Sequence, residues 1–278
     1  MIWRTSRRAF DLTDRGVIMG IVNVTPDSFS DGGIFAGPDD AVAHALRLVD
    51  EGADILDIGG ESTRPGAAPV TEDEELRRVI PVIEKLAAKT AATLSIDTSK
   101  AAVARAAAAA GAEIINDVTA LQGDDNMLRV AAESGCAVVL MHMRGTPRTM
   151  QQNPQYEDVV TEVAEYLTQR VVAARAAGIG PDRIAIDPGV GFGKSVEHNL
   201  QLIAGLGRFA ASGHPVLLGA SRKSFLAMAA QCPDVEDRDL PTAVLTALGY
   251  RFGARVFRVH AARANMQALR LAEALPPR

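Results

Sequence analysis

Short apolar, β-rich runs alternate along the chain with longer stretches of helical spacing, and the alternation repeats eight times from end to end. The runs predict strands at Val17–Val24, Asp54–Ile58, Thr93–Ile96, Glu113–Asn116, Ala137–His142, Arg183–Asp187, Pro215–Gly219 and Arg255–His260. The stretches between them predict helices at Asp39–Glu51, Thr71–Lys89, Lys100–Ala110, Asp125–Ser134, Gln155–Ala177, Ser195–Gly205, Asp239–Phe252 and Ala262–Ala274. In the fifth helix Val159, Val163, Leu167 and Val171 recur every four residues and leave Glu162, Glu165 and Arg170 for the solvent side. Gly52, Gly111, Gly135, Gly178 and Gly253 follow helices where a C-cap is expected. Ala137-Val-Val-Leu-Met141 and Pro215-Val-Leu-Leu218 are apolar without alternation, as strands buried on both faces of a parallel sheet are.

Eight such units predict an α/β protein of the (β/α)8 TIM-barrel class, with its active site at the carboxyl ends of the strands. The competing architecture is an open doubly wound sheet, which usually has fewer strands and a glycine-rich turn after the first of them. Here the first strand runs instead into Asn23-Val-Thr-Pro-Asp-Ser-Phe29. No linker-like stretch divides the 278 residues, so a single domain over 1–278 is expected.

Polar and ionisable groups gather where the strands end: Asn23, Asp57 with Glu61, Asp97, Asn116 with Asp117, His142, Asp187, Ser221-Arg222-Lys223, and Arg258 with His260. A strand-end Asp or Asn often caps the next helix, and for Asp57 and Asp117 that reading competes evenly with a functional one. Capping does not explain Lys223, Arg258 and His260 at the same rim. Glycines at 32, 33, 59, 60, 189, 191 and 193 permit close backbone approach or mobile loops. The first two loops, Thr25–Gly37 and Gly59–Val70, are long and polar, as lids over a substrate are.

Composition narrows the chemistry. A net charge of −5 argues against a nucleic-acid surface, so an anionic ligand must be met by a local basic pocket. Lys223, Arg258 and His260 follow strands seven and eight, where barrels most often hold phosphate, and Arg64 on the second loop is placed to close over them. Two cysteines, Cys136 and Cys232, are too few for a disulfide framework or zinc site, and a reducing cytoplasm fits. Neither a signal peptide nor a membrane span is expected. Gly189-Val-Gly-Phe-Gly-Lys-Ser195 has neither the phosphate-loop nor the dinucleotide spacing. The histidines lack metal-ligand spacing, and His44, His198 and His214 read as ordinary surface or helix residues.

Seven segments in order resemble the dihydropteroate synthase family: Met19–Gly33, Asp57–Gly66, Ser95–Lys100, Ile115–Val118, Asp187–Lys194, Gly219–Ser224 and Arg258–His260. The resemblance implies a barrel that condenses 6-hydroxymethyl-7,8-dihydropterin pyrophosphate with 4-aminobenzoate in folate synthesis. It implies that Asp97, Asn116, Asp187 and Lys223 hold the pterin between apolar walls at Met141 and Phe192. A carboxylate at Asp187 suits the pterin's N3–H and 2-amino donor pair, and Lys223 and Asn116 can donate to its oxygen and ring nitrogen. Asn23, Arg64, Arg258 and His260 are implied to hold the pyrophosphate, with Mg²⁺ near Asn23. Phe29, Thr63, Pro65 and Ser224 match the 4-aminobenzoate pocket, where sulfonamides compete.

By the same resemblance, loss of pyrophosphate precedes attack by the arylamine. Catalysis is then electrostatic, with Asp31, Lys223 and Arg258 as the catalytic residues. Family members are commonly homodimers. The chain departs from the family at Ala261, where Asp usually follows Arg-Val-His; a lost carboxylate there would weaken the anion site if it orients His260. A non-catalytic pterin-binding paralogue and a pterin-dependent methyltransferase are the alternatives. The methyltransferase would not need the Thr25–Gly33 lid or the Thr63-Arg-Pro65 loop.

Overall fold

A computed structural model of the chain describes residues 1–25, 37–62, 68–146 and 149–276. An antiparallel hairpin, β1 (Ile2–Arg4) and β2 (Ala9–Asp11), comes first. Eight parallel strands follow: β3 (Val17–Asn23), β4 (Ile55–Gly59), β5 (Thr93–Asp97), β6 (Ile114–Asp117), β7 (Ala137–Met141), β8 (Ile184–Asp187), β9 (Leu217–Leu218) and β10 (Val256–Val259). Their order is β8-β7-β6-β5-β4-β3-β10-β9, and a bridge between Ile186 and Val216 joins the two ends into a barrel. The helices are α1 (Pro38–Asp50), α2 (Glu72–Ala87), α3 (Ala101–Ala110), α4 (Met127–Ser134), α5 (Val159–Ala176), α6 (Val196–Ala204), α7 (Leu206–Ala210), α8 (Phe225–Ala229), α9 (Asp239–Arg251) and α10 (Ala262–Ala274).

Because strand side chains alternate between faces, the barrel has two cores. Ile18, Val22, Leu56, Ile58, Ile96, Ile115, Val138, Leu140, Ile186, Leu218 and Phe257 face outward against the helices. Val17, Met19, Ile55, Ile114, Ala137, Val139, Ala185, Leu217 and Val256 fill the interior, together with Trp3 and Leu12 from the hairpin region. Trp3 and Leu12 are fully buried. The hairpin therefore plugs the amino-terminal end, and the interior, apolar but for the buried Thr93 and Ser95 of β5, becomes ionisable towards the carboxyl ends of the strands.

The expected elements occur, with differences that have local causes. Helix α5 begins at Val159 rather than at 155, because Asp158 caps it by accepting N–H bonds from Val160 and Thr161. The expected strand Pro215–Gly219 shortens to Leu217–Leu218 plus the bridge at Val216. Arg183 belongs to a 3-10 turn, Pro181–Arg183, ahead of β8. The hairpin and the short α7 and α8 were not expected. Gly52, Gly111, Gly135, Gly178 and Gly253 all take positive φ, from +73° to +126°, as their stop-signal role requires.

Candidate active site

Strand register builds the site. Asn23 pairs with Gly59, Gly59 with Asp97, and Asp97 with Asn116, so these positions stand level across four adjoining strands. Asp57 lies two residues below Gly59 on β4 and is fully buried. Arg258, on β10, reaches inward: its Nε donates to Asp57 Oδ2 at 2.6 Å and its Nη2 to Asp97 Oδ2 at 2.6 Å. Asn116 Nδ2 donates to the same Asp57 oxygen at 3.0 Å. Asp57 Oδ1 is buried with no hydrogen-bond partner among the described residues. Asp57 is thus part of the site and not a helix cap.

Burial sets the charges. Desolvation pushes Asp97 up to about 7; Arg258 opposes that shift and the neighbouring Asp57 adds to it. Desolvation works against the Arg258 cation, but Asp57 and Asp97 outweigh it and raise its pKa. On the other side of the mouth, Asp187 Oδ1 accepts the Gly189 N–H at 2.7 Å. Burial raises the Asp187 pKa, and the Lys223 cation holds it back. Desolvation lowers Lys223 to about 8 against the pull of Asp187. Lys223 Nζ donates to the Val190 carbonyl and stands 4.4 Å from the Phe192 ring centre. Met141, 3% exposed, pairs in register with Asp187.

The loop between β8 and α6 requires its glycines. A Cβ on Gly191, at φ +87°, would stand 2.7 Å from Lys223 Cδ, and one on Gly189 would stand 1.9 Å from the His142 carbonyl oxygen. Glycine here admits close approach of the protein to itself.

Several rim residues have structural roles instead. Asp117 accepts from the N–H groups of Thr119 and Leu121 and from the Thr119 hydroxyl, so it shapes the turn after β6. Arg222 makes a two-pronged contact with Asp239 at 2.7 Å, fixing the start of α9. Glu61 pairs with Lys100, which also donates to the buried Glu75 at 2.5 Å. His142 is buried at 7% exposure with its Nδ1 on Lys194. His44 and His214 meet the carbonyls of Ile21 and Ile184, and His198 completes a capping box with Ser195.

His260 is oriented by Ser221, whose Oγ lies 2.9 Å from Nδ1 and also accepts the His260 backbone N–H. Position 261 is instead the N-cap of α10, and Ala261 supplies no side-chain cap there. Ser224 is exposed at the start of α8. Phe29, Asp31, Thr63, Arg64 and Pro65 lie outside the described residues. Among the described residues, no cluster of three or more His, Cys, Asp or Glu side chains could hold a metal. Asn23, half-buried at the mouth, offers a single amide oxygen. That donor set suits Mg²⁺ only as an ion carried by substrate phosphates, which is how Mg²⁺ commonly binds. Sequence reasoning missed Lys194, a buried lysine visible only as part of a run that fails the phosphate-loop spacing.

The profile of the Pterin binding enzyme family matches residues 19–260, which contain all the site residues above. The chain belongs to the dihydropteroate synthase family of pterin-binding enzymes. The dihydropteroate synthase of Escherichia coli K12 is 46% identical over 259 residues, covering 92% of this chain and 90% of that protein. A Yersinia pestis dihydropteroate synthase, solved as a sulfonamide drug complex, superposes with a TM-score of 0.93 at 43% identity, covering 99% of this chain and 98% of that one. The Xanthomonas albilineans dihydropteroate synthase, solved in complex with 7,8-dihydropteroate, gives a TM-score of 0.89 at 46% identity over 99% of this chain and 100% of that one. The family match and the superpositions agree with the barrel fold described above.

Proposed function

We propose that this chain is a dihydropteroate synthase, a transferase that joins the methyl carbon of 6-hydroxymethyl-7,8-dihydropterin pyrophosphate to the amine of 4-aminobenzoate and releases pyrophosphate. The observation that carries the reading is the Asp187–Lys223 pair set in an apolar wall opposite Asn116 and the Arg258-bound carboxylates. The Asp187 carboxylate is the acceptor for the pterin's adjacent N–H donors, with Oδ1 keeping acceptor capacity beside the Gly189 N–H it already accepts. Lys223 and Asn116 supply donors to the ring's oxygen and nitrogen. Burying such a polar ring without partners costs several kcal/mol, so the donor and acceptor pattern selects the ligand.

In the reaction the C–O bond to pyrophosphate breaks, the arylamine nitrogen forms the new C–N bond, and that nitrogen loses one proton. Arg258 and His260, with Asn23 and Arg64, receive the leaving pyrophosphate anion. Lys223, and Asp31 from the first loop, act on the developing charges, which is electrostatic catalysis by prepositioned groups. When bound, Mg²⁺ neutralises phosphate charge, and Asn23 is the protein oxygen that would hold it. Phe29, Thr63, Pro65 and Ser224 are assigned to the arylamine by their match to the family's motifs, at the subsite where sulfonamides compete.

The cytoplasm is the proposed compartment; among the described residues both cysteines are free, and no helix is long and apolar enough to cross a membrane. A homodimer is supported by Leu240, Val244 and Leu248, exposed in a stripe along α9, and by Leu271 on α10. The functional reading is tested by pyrophosphate release that depends on 4-aminobenzoate. No release with the arylamine present, or release with no dihydropteroate formed, would contradict the synthase.

A further inference from the structure

We propose that Lys194 is a positioning residue for the pterin site: its buried side chain ties the loop between β8 and α6 to the end of β7, and so holds Asp187 and Lys223 where the pterin needs them. The inference rests on the proposed pterin chemistry of those two residues.

Lys194 is 2% exposed. Its Nζ meets three acceptors: His142 Nδ1 at 3.0 Å, the His142 carbonyl at 3.3 Å and the Phe192 carbonyl at 2.9 Å. Burial pushes the Lys194 amine well below its ordinary pKa, and in its ammonium form the three N–H donors match these three acceptors. Desolvation pushes the His142 imidazole down to about 3, which leaves it neutral, and its Nδ1 accepts from Lys194 in the tautomer that carries the proton on Nε2. Among the described residues no carboxylate forms an ion pair with Lys194. A buried amine without a counter-charge is costly, and an apolar side chain would fill the space at less cost. Packing alone therefore does not account for lysine here.

What the lysine grips is the loop that sets the pterin pair. Gly189 donates to Asp187, Val190 accepts from Lys223, and Phe192 places its ring 4.4 Å from the Lys223 ammonium. The Phe192 carbonyl is one of the three acceptors on Lys194. The opposite anchor, His142, directly follows Met141, the other apolar wall of the site. Across this seam the backbones touch: a Cβ on Gly193 would stand 2.4 Å from the Arg144 carbonyl oxygen. Loss of the Lys194 contacts lets the loop shift as a unit, carrying the partners of Asp187 and Lys223 with it.

The test uses Lys194→Met, which keeps length without donors, and Lys194→Gln, which keeps two N–H donors. Binding of dihydropterin pyrophosphate is measured by titration calorimetry, both KM values by steady-state kinetics, and folding by a thermal melt. The Met variant is expected to weaken pterin binding by roughly 10- to 100-fold, the scale of effect when reacting groups are displaced by about 1 Å. The KM for 4-aminobenzoate should stay within about twofold, and the Gln variant should recover part of the loss. Wild-type pterin affinity in a folded variant would overturn the proposal, as would equal losses for both substrates that track the melt. If Lys194→Met does not fold, Lys194→Gln is judged by the same split. Wild-type protein that binds pterin but forms no product would sink the synthase reading while leaving the affinity comparison in force. Wild-type protein that does not bind pterin would overturn both.

Discussion

Replacing Ala261 by Asp is expected to stabilise the fold and leave catalysis unchanged. Ala261 stands at the N-cap of α10 with φ −102° and ψ 87°, and neither its side chain nor an acidic residue in the first turn serves the free N–H groups there. An Asp in that place accepts one of those N–H groups, which contributes about 1 kcal/mol. Its charge also opposes the positive end of the helix dipole, for roughly 0.3–1 kcal/mol more. Unfolding entropy of about 2.1 cal/mol/K per residue, over 278 residues, gives ~0.6 kcal/mol/K. A gain of about 1–2 kcal/mol therefore raises the melting midpoint by about 2–3 °C. Differential scanning calorimetry at fixed pH, with steady-state kinetics on the same preparations, makes the measurement. An unchanged or lower midpoint would refute the capping argument. A severalfold fall in the KM for dihydropterin pyrophosphate would show instead that a carboxylate at 261 serves the anion site, against the Ser221–His260 contact seen here.

Three further outcomes follow from the same geometry. Trp3→Ala removes the fully buried plug of the barrel floor; a cost of about 3–5 kcal/mol should lower the midpoint by roughly 5–9 °C with kcat little changed at low temperature, and an unaltered melt would contradict the two-core description. Gly191→Ala puts a side chain at φ +87° and 2.7 Å from Lys223 Cδ, so the pterin KM should rise and stability fall by about 1–3 kcal/mol; a wild-type KM would contradict the close approach. For the dihydropterin substrate, kcat/KM should fall as pH drops below about 7, where Asp97 takes a proton and its ion pair with Arg258 weakens, and again above about 8, where Lys223 loses its cation. A flat profile through that window would refute the assigned charge states.

The barrel was legible because its strands and helices carry distinct hydrophobic periods and because glycines mark where the helices stop. The hairpin escaped notice for a physical reason: Ile2–Arg4 and Ala9–Asp11 are three residues each, too short for a period, and Trp3 declares its burial only once the barrel floor exists. The polar mouth was legible as positions but not as pairings. Arg258 lies far along the chain from Asp57 and Asp97, and only barrel closure brings the three together. Asp117, Arg222 and His142 resembled the working residues in sequence, and their local partners separate them. Lys194 sat inside a familiar-looking glycine run, where spacing alone carries no sign that the amine turns inward.

The central claim is most directly tested by incubating the purified protein with dihydropterin pyrophosphate, 4-aminobenzoate and Mg²⁺ while following pyrophosphate and dihydropteroate together, with Lys223→Ala alongside. The account predicts equal amounts of both products, no turnover without the arylamine, loss of activity on chelation of Mg²⁺, and loss in the Lys223 variant. Tight pterin binding with neither product formed would contradict it and leave a binding protein in place of a synthase.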